Sequence, residues 1–296
     1  MTEARPKNNA LDMERRRTIR IRRSALLQSD LGEVDRPAIK IADDRYEFEQ
    51  SFAMVYEEYA EAGYIPVAKK NALLFSHYNF LPDTVLFLAK SYEEVISTLT
   101  QVFDSELFGL PMDSIYREEL EDLRRNGRKI SEIGALATKK QFRWQNLFMY
   151  ICRVMYWYSN YKKVDDLCVA VNPKHVRFYT SIFLFEEFGP EKTYPKVGAP
   201  AVLLRLDMHK IKDRLRSVYA KQDFECNLFE YFHRINGTHV EDYSKALERR
   251  GVVPAIHSRF APETASYFFN KDKSVFHYLE QHQREYLQGL YPGLSL

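Results

Sequence analysis

Hydrophobic and polar positions divide the chain into an unpatterned start, a strand-and-helix middle and a mostly helical end. Residues 1–36 are polar and carry no hydrophobic periodicity. From Ala38 the pattern becomes regular. Ile39-Lys40-Ile41-Ala42 reads as a short strand. Asp43 or Asp44 reads as the cap of a helix whose Phe48, Phe52, Val55, Tyr56 and Tyr59 recur at helical spacing. That helix stops at Ala62-Gly63, where glycine supplies the left-handed cap. Residues 64–84 form an irregular, aromatic-rich loop. Strands are expected over 85–90 and 95–102, joined at hairpin distance, with Thr98 and Thr100 on one face by the period of two.

The next segments carry the strongest signal. After Gly109-Leu110-Pro111-Met112-Asp113 comes a charged helix over 115–125, ended by Asn126-Gly127. A strand over 129–138 contains Ser131-Glu132-Ile133-Gly134-Ala135-Leu136. It leads into a helix of about 20 residues, with an apolar stripe of Leu147, Phe148, Ile151, Val154, Met155 and Tyr158. A strand over 166–171 ends in Asn172-Pro173-Lys174-His175, and a helix over 175–188 carries Tyr179. The last clear strand covers 201–206. Beyond residue 209 the pattern is mostly helical, with candidates at 223–232, 241–248 and 274–287. The order is β-α-β-β-(α)-β-α-β-α-β, with a flexible basic tail at 1–36, a main domain at 37–208 and an extension at 209–296.

Composition narrows the class. A chain of 296 residues with 45% apolar and 28% charged residues can bury a sizeable core. With 43 basic and 41 acidic residues, nothing global argues for nucleic-acid binding. Six arginines between residues 14 and 23 make either a solvated tail or a contact for an acidic partner or membrane surface. Cys152, Cys168 and Cys226 form no C-x-x-C pair, which suits buried thiols in a reduced, cytoplasmic protein. No apolar run reaches the roughly 18 residues of a membrane span, and the N-terminus lacks a secretory apolar segment. The 20 Tyr and 20 Phe either fill the core or line a long apolar pocket.

Three residues are candidates for chemistry. Glu132 lies in a strand of small and apolar residues, where partial desolvation would favour general-base work; the alternative is an edge-strand carboxylate facing solvent or a lysine. Tyr179 is either a core tyrosine or a donor to a leaving thiolate. Asp113, on a loop, could be aimed at a ligand. Phosphate-loop and dinucleotide glycine motifs are missing, as are H-E-x-x-H and the G-x-S-x-G elbow. The scattered histidines predict no metal, and His209-x-x-x-Asp213 is a short match common by chance.

The strand order and the unit at 129–189 resemble the GNAT acyltransferase fold. Four stretches resemble a narrower family, the N-acyl amino acid synthases of FeeM type, relatives of the acyl-homoserine lactone (autoinducer) synthases. They are Tyr56–Ile65; Gly109–Asp113 with Glu119 and Leu123-Arg124; Ser131–Ala137; and Val171–Tyr179 with Pro200–Leu204. The resemblance implies an α/β (α+β) fold with a mixed, mostly antiparallel central sheet flanked by helices. It implies a long-chain acyl donor held as a thioester on acyl carrier protein, an amino acid or similar small amine as acceptor, and no tightly bound cofactor. Acyl-phosphopantetheine is the donor group, on carrier protein or coenzyme A.

Under that resemblance Glu132 and Tyr179 are the catalytic candidates. Thr98, Thr100, Met112, Asp113, Ile133, Gly134, Leu136, Phe148, Val169 and Asn172 are the substrate-binding candidates. Lys139, Lys140 and Arg143 are expected to contact the carrier protein. The sequence departs from its relatives in two places. Thr138–Trp144 lacks the glycines of a coenzyme A loop, which favours a carrier-protein donor. Threonines and Gly134-Ala135 stand where autoinducer synthases place arginines, which argues against S-adenosylmethionine as acceptor. The rivals are an autoinducer synthase and a non-catalytic acyl-binding or scaffold protein. The extension would then cover the pocket, dimerise, or dock on a membrane through Phe268, Phe269 and Tyr291.

Overall fold

Strand alternation assigns the residues of the sheet to two different cores. The computed structural model describes residues 37–66, 72–142, 147–195, 198–223, 226–235, 238–239 and 260–296. In β2 (Val85–Ser91), Val85, Phe87 and Ala89 face one core while Leu86 and Leu88 face the other, as a period of two requires. Every residue of β3 (Glu94–Phe103) after Glu94 is buried, so both faces of the sheet are covered.

Among the described residues, eight strands form one sheet, in the order β1 (Pro37–Ile41), β2, β3, β4 (Ile130–Thr138), β5 (Asp166–Val171), β8 (Ala199–Asp207), β6 (Glu186–Glu187), with β7 (Lys192–Tyr194) also pairing with β8. All neighbours are antiparallel except β4 and β5. This open, mostly antiparallel sheet flanked by helices is the expected fold class.

One face carries α1 (Arg45–Glu61). Asp44 caps it, accepting from the N–H groups of Tyr46 (2.7 Å) and Glu47 (3.0 Å). Buried Glu47 receives Lys90 (2.9 Å) and Lys40 (3.1 Å), which ties the helix to the first two strands. The other face carries α3 (Leu147–Tyr161) and α4 (Pro173–Ile182). A third, smaller core beneath α2 (Asp113–Arg125) holds Leu110, Met112, Tyr116 and Cys168.

The described residues after 208 contribute to both faces. Helices α5 (Ile211–Tyr219) and α6 (Leu228–His233) join the α3 side. Helices α7 (Pro262–Lys271) and α8 (Gln281–Leu290) join the α1 side. There the Phe268 ring meets Phe52 (5.2 Å) and Phe75 (5.5 Å), and the Tyr291 hydroxyl donates to the Phe80 carbonyl (2.9 Å).

Several expectations are corrected. Phe268, Phe269 and Tyr291 are core residues, at most 5% exposed, and offer no membrane-docking surface. The helix carrying Tyr179 stops at Ile182 instead of Phe188. Leu184 takes a left-handed conformation (φ 61°), and the N–H groups of Phe183 and Phe185 both donate to the Tyr179 carbonyl, turning the chain into β6. The helix expected at 274–287 is a 3-10 turn, Lys273–Phe276, followed by α8. α3 covers 15 residues. The tail 1–36 and the helix expected at 241–248 lie outside the described residues. No described helix is long and apolar enough to cross a membrane.

Where β4, β5 and β8 meet, fully buried Asp166 accepts from Arg128 and from Arg205 (2.7 Å), and Arg128 also reaches Asp207 (3.1 Å). Removing Asp166 leaves two guanidinium groups competing for what remains. Asp166→Ala is expected to cost about 3 kcal/mol in urea unfolding. A loss below about 0.5 kcal/mol, typical of a surface change, would contradict this account.

Candidate active site

The site begins where two strands part. β4 and β5 pair over only three positions, Ile130↔Asp166, Ser131↔Leu167 and Glu132↔Cys168. Local causes draw them apart. At the end of β5, Asn172 accepts from the Lys174 N–H (3.2 Å) and Pro173 opens α4, so the chain leaves the sheet. In β4, Thr98↔Ala137 and Thr100↔Gly134 are partners, leaving Ala135 and Leu136 opposite the single residue Leu99. This is a β-bulge, with Ala135 at φ 48°, and it bends β4.

Two cavities open from the gap. The first, about 260 Å³, is largely apolar, and its walls include Leu136, Phe148, Cys152, Val169, Tyr179 and Phe183. The second, about 310 Å³, is walled by Glu132, Thr100, Tyr78 and Tyr194 together with Phe52, Phe75 and others. Tyr59, Tyr64, Ile133, Gly134, Ala135, Ala170 and Asn172 border both, so the cavities meet at the splay. Gly134 faces open space: a Cβ there would meet nothing within 4 Å.

Glu132 is 8% exposed, and its Oε2 accepts the Met112 N–H (2.8 Å). The loop that supplies this donor is itself fixed. Arg124 donates to both carboxylate oxygens of Asp113 (2.8 and 2.7 Å) and to Asp104 (2.7 and 2.9 Å). Asp113 Oδ2 also accepts the Leu110 N–H (2.6 Å). Gly109 turns the loop at φ 61°, and a Cβ there would collide with the Asp113 carboxylate.

The surrounding tyrosines feel this carboxylate. Burial, then the Glu132 charge, pushes the Tyr59 phenol up to about 12. The same two causes raise Tyr78 and Tyr194, whose hydroxyls donate to the carbonyls of Phe108 (3.2 Å) and Pro111 (3.0 Å). Burial raises Tyr179 strongly, with Cys152 and Tyr59 adding to it. Burial and neighbouring Lys174 lower His175, which also borders the apolar cavity.

The structure brings Glu132, Thr100, Ile133, Gly134, Leu136, Phe148, Val169, Asn172 and Tyr179 to these two cavities. It leaves others aside. Thr98 is fully buried on the far side of the bulge and borders neither cavity. Met112 contributes its backbone N–H while its side chain lies in the third core. Asp113 is corrected from a ligand contact to a loop brace, because its carboxylate is held by Arg124 and Leu110. Lys139 pairs with Glu94, and Lys140 with Glu61 (2.9 Å). Arg143 lies outside the described residues.

Sequence reasoning missed Tyr59, Tyr64, Tyr78, Tyr194 and His175 as wall residues. Tyr59 was visible only as part of a helical stripe and of the Tyr56–Ile65 stretch, and Tyr78 only as one aromatic of an irregular loop. The proton on Tyr59 gives a readable consequence. Folded, Tyr59 keeps its proton to about pH 12; unfolded, it releases it near 10. The native state therefore binds more protons between these values, and stability falls as pH rises through that window. Tyr59→Phe is expected to flatten the alkaline limb of the stability–pH curve by up to one proton, about 1.4 kcal/mol per pH unit. An unchanged limb would contradict the assigned shift.

Solved structures of other proteins are similar to this one. The structure of FeeM, an N-acyl amino acid synthase from uncultured soil microbes, is similar at TM-score 0.54 and 26% identity, over 60% of this chain and 94% of that one. The AHL synthase LasI gives TM-score 0.44 and 14% identity, over 59% of this chain and 91% of that one. A GNAT-family acetyltransferase from Staphylococcus aureus Mu50 gives TM-score 0.40 and 11% identity, over 58% of this chain and 99% of that one. No curated protein sequence matches. The family model described as N-acyl amino acid synthase FeeM matches residues 50–207, more than half of the chain. The protein belongs to the FeeM family of N-acyl amino acid synthases and is an N-acyltransferase.

Proposed function

We propose that the protein moves a long-chain acyl group from an acyl carrier protein thioester to the amine of an amino acid or similar small acceptor. One observation carries this reading: a buried carboxylate in an aromatic cavity opens, across the β4–β5 gap, onto an apolar cavity. The apolar side suits the acyl chain, the gap suits the pantetheine arm, and the Glu132 side suits the amine.

In this scheme Glu132, directly or through one water, takes a proton from the acceptor ammonium. The freed amine nitrogen attacks the thioester carbonyl carbon. The bulge takes the Leu136 backbone out of the regular β3 ladder, and its N–H is assigned to the oxyanion. Collapse breaks the C–S bond, and a second proton from the nitrogen reaches the sulfur, giving amide and thiol. The proton on Glu132 returns to solvent.

The pKa of Tyr179 refines its role. Its phenol titrates far above the roughly 8.5 of a free thiol, so full transfer to a thiolate is uphill. Tyr179 instead donates a hydrogen bond to the departing sulfur.

The glycine-free segment after Thr138 supports carrier protein over coenzyme A, and Lys139 and Lys140 lie at its start. Residues 37–208 are assigned as the catalytic domain and 209–296 as its extension. Three buried free cysteines suit the reducing cytoplasm.

Acyl transfer to amino acids, assayed by mass spectrometry with carrier-protein and coenzyme A donors, tests the reading. Glu132→Gln is expected to lower kcat about 10²–10⁴-fold, and Tyr179→Phe about tenfold, the scale of one charge-assisted hydrogen bond. Wild-type rates in both variants would sink the roles assigned. Gly109→Ala should also slow transfer by about tenfold or more without touching either cavity, because displacing Asp113 shifts the donor loop of Glu132. A fully active Gly109→Ala enzyme would separate the loop from catalysis.

A further inference from the structure

The wall of the apolar cavity includes residues the family match does not reach. It runs along β5, from Asn172 at the splay to Leu167, a distance of roughly 16 Å at about 3.3 Å per residue. Leu167 pairs with Leu206 at its inner end. Ile211 and Leu215, which follow β8 in the chain, and Phe232 also line it. All three follow residue 207, where the match ends.

This wall is braced from behind. The Trp157 indole N–H donates to the Phe232 carbonyl (2.7 Å), and the Phe232 ring lies 5.4 Å from Tyr156 and 6.3 Å from Phe183. α5 is tied to the end of α4, where the Tyr219 hydroxyl donates to the Ile182 carbonyl (2.7 Å). The imidazole next to Phe232 in the chain is already engaged. His233 Nδ1–H donates to the Phe229 carbonyl (3.0 Å), so its Nε2 is left to accept the Tyr156 hydroxyl (2.9 Å). What faces the cavity is therefore ring and alkyl surface, suited to a methyl terminus.

We infer that Phe232, with Leu215 and Ile211, is the end wall of the acyl cavity, so that the C-terminal extension sets the length of alkyl chain the enzyme accepts. This rests on the assignment of that cavity to the acyl group. Each methylene that fits contributes about 0.8 kcal/mol, or about fourfold in binding. Opening the wall by the volume of a phenyl ring should admit about three more, a change of about fifty-fold in preference.

The test uses the full chain and saturated acyl carrier protein donors of increasing length. Phe232→Ala should raise the ratio of long-chain to short-chain kcat/KM by up to about fifty-fold, and Leu215→Phe should lower it. The ratio is read within one variant, so a loss of folded protein cancels. Wild-type chain-length profiles in both variants would overturn the inference. Equilibrium binding of free fatty acids of the same lengths supplies a reading without turnover. If no amine yields product while binding profiles shift as stated, the wall stands and the proposed reaction fails. If profiles stay fixed while transfer proceeds, the reaction stands and the wall fails.

Discussion

The short parallel ladder between β4 and β5 is the constraint on which the site depends. Three residue pairs hold the strands together, and Asp166 with its two arginines anchors that end. Past Glu132 and Cys168 the backbones diverge inside a covered sheet. Buried peptide groups demand partners, and a strand pair that opens in the interior presents donors and acceptors to whatever enters. A peptide-like pantetheine arm meets that demand in the proposed reading. The bulge at Ala135-Leu136 and the cap at Asn172 are therefore as much a part of the site as any charged side chain.

Around this gap the two faces of one sheet supply different solvents. On one face, tyrosines and a carboxylate keep a polar but enclosed environment, in which burial, and then the Glu132 charge, raises the tyrosine pKa values. On the other, α3, α4, α5 and α6 make a largely apolar environment. An amine and an alkyl chain need opposite surroundings, and a reaction joining them needs a boundary one strand thick. In the proposed reading the bulge of β4 provides it, shifting the strand's alternation so that Glu132 borders one cavity and Leu136 the other.

Much of this was legible in the sequence, for local reasons. The Asp44 cap, the Gly63 stop, the central strands and the Asn172-Pro173 helix start are written in short-range patterns, and each lies within a few residues of its expected place. Glu132 stood out because a lone carboxylate among small apolar residues needs a reason. The remainder was set by partners distant in sequence. Asp113 looked available, but Arg124, 11 residues along the chain at the other end of α2, holds its carboxylate. Tyr59 satisfies the same helical period whether it faces core or cavity. The end of α4 depends on Leu184 adopting a left-handed turn that its apolar side chain does not announce.

Cys152 gives the apolar cavity a further property. It is a free thiol in the wall of a chamber proposed to hold a thioester, and thiol–thioester exchange would acylate the enzyme instead of the amine. Only the thiolate performs that exchange. Burial alone raises this thiol well above its ordinary range. The hydrocarbon lining that would solvate an alkyl chain thus also silences the nucleophile within it. Greasiness here acts as chemical selectivity: the burial that suits an alkyl chain also keeps the thiol protonated.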